Sequence, residues 1–253
     1  MTSVWGVIPA AGSGRRMAAE VPKQYLEIAG TTLLEHTVQA LLACPDLRGL
    51  AVVLDPSDRR ADSLSSLSDA RVMRVAGGAE RADSVLAGLD RLADVAGADD
   101  WVLVHDAARP CLPVAVAKSL IDTVLSANVG AILAQPMTDT VKRVDDERRI
   151  VETLDRDTLW RAQTPQMFRL QELRRALREA IEGGVWVTDE AMVMEAAGFP
   201  VQVVEGPASN IKVTVPEDLR LAELFLASQT LQTQAPDVKP WGGQPQSPAS
   251  EPF

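Results

Sequence analysis

Val4 to Tyr25 reads VWGVIPAAGSGRRMAAEVPKQY, and this stretch decides the fold. The apolar run Val4–Pro9 has the make-up of a buried strand. It passes directly into Ala10, Ala11, Gly12, Ser13 and Gly14, residues small enough for backbone N–H groups to approach an anion closely. Three cations follow: Arg15, Arg16 and, behind Pro22, Lys23. A strand feeding such a loop is how an α/β protein grips phosphate. The loop lacks the Lys-Ser or Lys-Thr of a Walker A sequence, and Met17 stands where a dinucleotide fingerprint needs a third small residue. The simpler alternative is a tight strand-to-helix turn with solvated arginines. It gives no reason for three cations to crowd one loop of a chain whose net charge is −10.

The remainder of the chain continues the pattern. Strands are expected at 49–55, 71–75, 101–105 and 130–136. Helices are expected at 31–43, 80–95 and 114–126, with a short one at 56–66. Alternation at this spacing implies βαβ units and a mostly parallel sheet, an α/β fold. From 137 to 168 the pattern changes to polar–apolar alternation interrupted by Asp-Asp-Glu-Arg. That reads as a β-hairpin or projecting β-arm at about 137–160, with an antiparallel extension of the same sheet as the alternative. Helices return at 170–182 and 188–197, and VQVVEG (201–206) is a strand. Thr214-Val215-Pro216-Glu217 has the form of a capping box opening a last helix that runs to about Ala227. Residues 1–227 are read as one domain. The Gln/Pro/Ser-rich stretch 228–253 has almost no apolar periodicity and is expected to be a disordered tail.

Composition bounds the function. With 253 residues, 46% of them hydrophobic, the chain has ample material for one large core. The negative balance argues against nucleic acid as a partner, but not against a small anion held by local cations. No apolar run approaches ~18 residues, so no membrane span is expected. No secretory signal is evident, and two separated cysteines, Cys44 and Cys111, make neither a disulfide framework nor a zinc pattern; the expected compartment is the cytoplasm. Lysine is scarce, at five residues. Three of them, Lys23, Lys142 and Lys212, fall in segments that look functional on other grounds.

In an open parallel sheet, ligands bind at the carboxyl ends of strands. Four successive strand ends here carry glycines, an acid or a cation: the 10–23 loop, Gly77 to Arg81, Asp106 to Pro110, and Asp139 to Lys142. Asp106, a carboxylate beside a phosphate loop, is a natural Mg²⁺ ligand; an Asp capping the next turn is the bland alternative. Alternation turns His105 away from Asp106 and gives it a structural role, and His36 is expected on the surface of its helix. Arg109, before Pro110, sits in an extended turn where it binds phosphate or pairs with an acid. Thr188-Asp189-Glu190 reads as an N-cap with acids favouring the helix dipole. Asn210-Ile211-Lys212 is a candidate second phosphate clamp. Two phosphate-handling groups and a metal suggest phosphoryl or nucleotidyl transfer, which needs cations placed on the charge building at phosphorus.

The motifs PAAGSGRRM…PKQY, GGAERADSV, VHDAARP, DTVKR, TPQMF, TDEA and NIKVTVPEDL occur in this order. Together they closely resemble the 2-C-methyl-D-erythritol 4-phosphate cytidylyltransferase family, over residues 4 to about 227. The resemblance implies a Rossmann-like nucleotidyltransferase domain whose β-arm interlocks a homodimer. It implies transfer from CTP to methylerythritol phosphate with Mg²⁺ and release of pyrophosphate. Arg16 and Lys23 match cations that offset charge on the α-phosphate. Arg156 and Lys212 match residues that position the substrate phosphate, with Arg156 and Thr140 coming from the partner's arm. Ala10, Ala11, Gly12, Ser13, Gly14, Gly78, Ser84 and Ala107 match the nucleotide site. Asp106 matches an acid near the metal and the substrate, and Arg109 and Thr188 match the substrate pocket. Two departures stand out: Ala79 where members often carry Asp beside the cytosine, and Ser209 where an acid often precedes Asn-x-Lys. A cytidylyltransferase for another polyol phosphate, such as ribitol 5-phosphate, and an inactive nucleotide-binding homologue are the competing readings.

Overall fold

The structure, a computed structural model, describes residues 2–12 and 21–234. Its elements in chain order begin with β1 (Val4–Pro9), the short pair β2 (Glu27–Ile28) and β3 (Thr31–Thr32), α1 (Leu33–Leu42), β4 (Leu47–Leu54) and β5 (Val72–Ala76). Next come α2 (Arg81–Ala93), β6 (Trp101–Val104), α3 (Val114–Ala127), β7 (Gly130–Pro136), β8 (Val141–Val144) and β9 (Ile150–Leu154). The chain continues through β10 (Trp160–Arg169), α4 (Leu170–Glu182), α5 (Glu190–Ala196), β11 (Val201–Glu205) and α6 (Pro216–Gln234).

Seven strands form one sheet in the order β11-β7-β10-β6-β1-β4-β5. Neighbours are parallel except at β10, which runs antiparallel to both β6 and β7. The fold is therefore Rossmann-like α/β. From β1 the chain moves outward to β4 and β5, then returns to place β6 on the other side of β1. That reversal opens a crevice at the carboxyl ends of β1 and β6.

The strands are apolar on both faces because helices cover both. Along β1, Val4 and Ile8 join one core layer while Trp5 and Val7 join the other. In β4, Leu50, Val52 and Leu54 alternate in the same way with Ala51 and Val53. The first layer packs against α1 and α3, the second against α2, α4 and α5. Each fully buried Leu or Val in these layers contributes roughly 1.5–3 kcal/mol relative to exposure. Gly88 lets α2 lie close to the sheet: a Cβ there would stand 2.7 Å from Val7 Cγ1 and 3.1 Å from Val53 Cγ2.

Several expectations are corrected. The 56–66 segment is not an α-helix but part of a run holding two 3-10 turns, Arg60–Ser63 and Ser65–Ser68; Pro56, Ser57 and Asp58 favour turn hydrogen bonds, and Asp55 accepts from the Ser57 N–H and hydroxyl. Between 137 and 168, arm and sheet both occur. β8 and β9 form a separate hairpin, whereas β10 enters the main sheet, a strand the sequence reading did not place. The acid that caps the start of the last helix is Asp218, not Glu217. Pro216 takes the first helical position, which puts Asp218 at the third. Its Oδ2 accepts from Thr214 N, Thr214 Oγ1 and Val215 N at 2.8, 2.9 and 3.1 Å. α6 also continues past Ala227 to Gln234, so residues 228–234 of the expected disordered tail are helical, and 235–253 lie outside the described residues. His36 is half-buried, its Nε2 3.0 Å from Ile28 O.

Candidate active site

A cavity of about 460 Å³ lies in the crevice at the strand ends. The β1 loop contributes Ala10, Ala11 and Gly12, the segment after β5 contributes Gly78, and the turn after β6 contributes Asp106 and Ala107. Lys23, Arg81 and Lys212 bring positive charge to its wall. Small residues allow the elements to close together: a Cβ on Gly77 would collide with Ala11 Cβ. Gln24, buried, ties the loop down by donating from Nε2 to Ala10 O at 2.9 Å and Gly12 O at 3.1 Å. The first turn of α2 forms another part of the wall, its end fixed by a capping box in which Glu80 and Asp83 accept from each other's backbone N–H.

Asp106 is the electrostatic hub. Lys212 Nζ lies 2.8 Å from its Oδ2, Arg81 Nε donates to Oδ1 at 3.1 Å, and Arg109 Nε stands 3.7 Å from Oδ2. Burial raises the cost of its charge, but Arg81, Lys212 and Arg109 outweigh burial and hold the carboxyl well below its ordinary range. Arg81 also forks onto Glu190, which is fully buried. Burial alone would weaken the charge on Arg81; the two carboxylates more than reverse that, so its guanidinium stays charged.

Behind this cluster a neutral network fixes the backbone. The Asp106 N–H donates to Thr164 Oγ1 at 3.0 Å. His105 Nε2 faces Arg109 O at 3.1 Å and so donates to it, which leaves Nδ1 to accept from the Thr164 hydroxyl 3.0 Å away. Burial pushes His105 down to about 4, so the ring is neutral at pH 7. The register of β10 shifts between Ala162 and Gln166. Within that irregularity, Gln163 and the Thr164 carbonyl both accept from Asn210 Nδ2, at 3.2 and 2.8 Å. Asn210 O accepts from Arg109 Nη1 at 2.6 Å. The 210–214 segment is thereby locked to β10 and to the β6 turn, which sets Lys212 at the cavity.

Of the residues expected at a site, the structure brings Ala10, Ala11, Gly12, Lys23, Gly78, Ser84, Asp106, Ala107 and Lys212 to one cavity. Ser13, Gly14, Arg15 and Arg16 lie outside the described residues. Arg109 does not line the cavity; it is buried behind it, on Asp106 and Asn210, so it pairs with an acid as one of its two readings allowed. Thr188 is exposed, its hydroxyl 3.3 Å from Met192 Sδ, and Asp189 is the N-cap of α5. Thr140 and Arg156 are on or beside the arm, away from the cavity in this chain, and Arg156 Nη1 donates to Thr138 O at 2.7 Å. The sequence reading named Arg81 and Glu190 without giving either a place at the site, and it missed Gln24. Arg81 carried the signal that drew attention to Lys23, a cation at a strand end. Glu190 was read as an acid serving the helix dipole; it is instead the buried partner of Arg81. Gln24 has no signal in the sequence, since its role is to reach carbonyls that only the folded loop presents.

Comparison with known proteins gives consistent results. The profile of a family described as 2-C-methyl-D-erythritol 4-phosphate cytidylyltransferase matches residues 4–228. A protein of that name from Aeromonas hydrophila subsp. hydrophila is 50% identical over 245 residues, 97% of this chain and 95% of the relative. Its counterpart from Pseudomonas aeruginosa is 51% identical over 227 residues, 89% and 97% of the two chains. Among solved structures, a 4-diphosphocytidyl-2C-methyl-D-erythritol synthase is similar with a TM-score of 0.76 at 36% identity, covering 89% of this chain and 99% of that one. The Francisella tularensis 2-C-methyl-D-erythritol 4-phosphate cytidylyltransferase gives 0.75 at 34% identity, covering 88% and 100%.

Proposed function

As a member of the 2-C-methyl-D-erythritol 4-phosphate cytidylyltransferase family, this chain joins CTP to methylerythritol phosphate and releases pyrophosphate, and we propose that the strand-end cavity is where it does so. The observation that carries this reading is the gathering of Lys23, Arg81 and Lys212 around small-residue backbone at one opening. A substrate phosphate oxygen attacks the CTP α-phosphorus in line. The new P–O bond forms as the bond to the β-phosphate oxygen breaks, and pyrophosphate leaves with that electron pair. The charge that builds on the α-phosphate oxygens is what Lys23 and, by resemblance, Arg16 offset. Ala10 to Gly14, Gly78, Ser84 and Ala107 hold the nucleotide. Lys212, held on Asp106 through one of its three N–H donors, reaches the substrate phosphate with another.

Mg²⁺ belongs to the same reading. Among the described residues no three His, Cys, Asp or Glu side chains converge into a protein cage. The donor set fits an ion that takes one carboxylate, Asp106, and the rest of its ligands from phosphate oxygens and water. Bound there, the ion would neutralise charge on the nucleotide phosphates.

Two further parts of the reading concern assembly and compartment. Val144, Ile150 and Val151 on the arm and Trp160 at its base are exposed apolar side chains, which supports a homodimer in which one arm packs on the partner and delivers Thr140 and Arg156 to its cavity. Cys44 and Cys111 are both buried and free, and burial pushes the Cys111 thiol up to about 12; unpaired, unreactive thiols support the cytoplasm. Among the described residues no helix is long and apolar enough to cross a membrane.

The test is pyrophosphate release by the purified chain with CTP, Mg²⁺ and methylerythritol phosphate, repeated with ribitol 5-phosphate. Lys23→Ala should cut turnover about a hundredfold while CTP binding changes little, because its role is in the transition state. Equal loss of binding and turnover would remove Lys23 from that role. Turnover with ribitol 5-phosphate alone would reassign the acceptor.

A further inference from the structure

Glu190 opens α5 and is completely buried. A buried carboxylate requires a partner, and Glu190 takes Arg81 in a fork. Nη1 donates to Oε1 at 2.7 Å and Nη2 donates to Oε2 at 3.0 Å. The fork engages both terminal nitrogens of the guanidinium, and Nε is left to donate to Asp106 Oδ1 at 3.1 Å. A guanidinium is planar and its donors are fixed relative to one another. Seating two of them on Glu190 therefore determines where the third points. Arg81 and Asp106 line the cavity, whereas Glu190 does not.

Charge gives Glu190 a second effect. Arg81, Arg109 and Lys212 all stand within 4 Å of Asp106. Without Glu190, one carboxylate would face three cations. The freed N–H groups of Arg81 would then compete with Lys212 for Asp106 Oδ2.

We propose that Glu190 is a positioning residue for cytidylyl transfer: through Arg81 it orients the Asp106 carboxylate so that Oδ2 is kept for Lys212. The inference rests on the cavity being the place of transfer. It predicts that an acid outside the cavity controls turnover more than it controls nucleotide affinity. A lysine at position 81 would not substitute, because a point charge cannot fork onto one carboxylate and aim a fixed donor at another.

Steady-state kinetics of pyrophosphate release by the full chain provide the test. Glu190→Gln keeps the shape and is expected to lower kcat about tenfold, in the range of couplings within one hydrogen-bonded network, with KM for CTP within twofold. The double variant Arg81→Gln/Glu190→Gln removes both charges of the pair together and guards against a simple folding defect. It should regain thermal stability relative to Glu190→Gln without regaining kcat. In an Asp106→Asn background, Glu190→Gln should cost less than a further twofold, because the group it orients is already lost. The proposal is overturned by a Glu190→Gln chain whose kcat per folded molecule equals wild type, by recovery of both stability and kcat in the double variant, or by a full tenfold loss in the Asp106→Asn background. Wild-type turnover by Asp106→Asn alone would overturn the reading of the cavity as well.

Discussion

Replacing Asp106 with Asn isolates the electrostatic hub. The carboxylate carries contacts to Lys212 at 2.8 Å, Arg81 at 3.1 Å and Arg109 at 3.7 Å, with Asp106 itself 7% exposed. Breaking a buried ion pair from one side costs about 3–5 kcal/mol. Asn keeps one oxygen for Arg81 Nε, which retains about 1 kcal/mol of hydrogen bonding, and the partly exposed Lys212 can regain solvent. The expected loss is therefore about 3 kcal/mol, a fall in Tm of roughly 6–12 °C for a chain of this size. The pH dependence has a definite sign. The folded carboxyl titrates below its ordinary value of 3.8. Its contribution is therefore complete above that value and is lost as pH falls toward the folded pKa. Below 3.8 the unfolded chain takes up a proton that the folded chain refuses, and the wild-type advantage shrinks by about 1.4 kcal/mol per pH unit. Thermal unfolding followed by circular dichroism between pH 7 and pH 3 measures both quantities. A difference under ~1 kcal/mol at pH 7, the size of an exposed pair, or a difference that does not narrow between pH 5 and pH 3, would refute the hub.

Gly88→Ala should destabilise the chain by about 1–3 kcal/mol in urea unfolding, because its Cβ would enter the 2.7 Å gap to Val7 Cγ1; an unchanged midpoint would mean that α2 can move away freely. Thr164→Val strands the buried Asp106 N–H and His105 Nδ1, and should cost about 1–3 kcal/mol by the same method. The His105 ring, with a pKa of about 4, should give unmoving imidazole resonances from pH 8 to pH 6; titration within that range would contradict its burial as the neutral form. In mixtures of Arg156→Ala and Lys23→Ala chains, turnover should exceed the sum of the separate variants, because some dimers then carry one intact composite cavity; strictly additive turnover would argue for sites built within single chains.

Much of the architecture was legible because it rests on neighbours in the chain. The apolar runs of β1, β4 and β6 and the helical spacing of apolar residues in α1 and α2 are local. The small-residue loop, Lys23, Asp106 and Lys212 were likewise readable as strand-end chemistry, and they meet at one cavity. β10 was harder to read. Its two halves are joined by a register shift, which breaks the alternation that marks a strand.

By itself, then, the sequence determined most of the strands and helices, and that cations and small residues sit where the strands end, because spacing along the chain encodes period and turn. Only the tertiary structure decided which charges face one another. Arg81 meets Glu190 across 109 positions and Asp106 across 25, while Arg109 turns away from the cavity to hold Asn210. No local pattern specifies such pairs. Burial removes the water that would otherwise solvate each ion, and leaves each with only the partners that the packed fold places beside it.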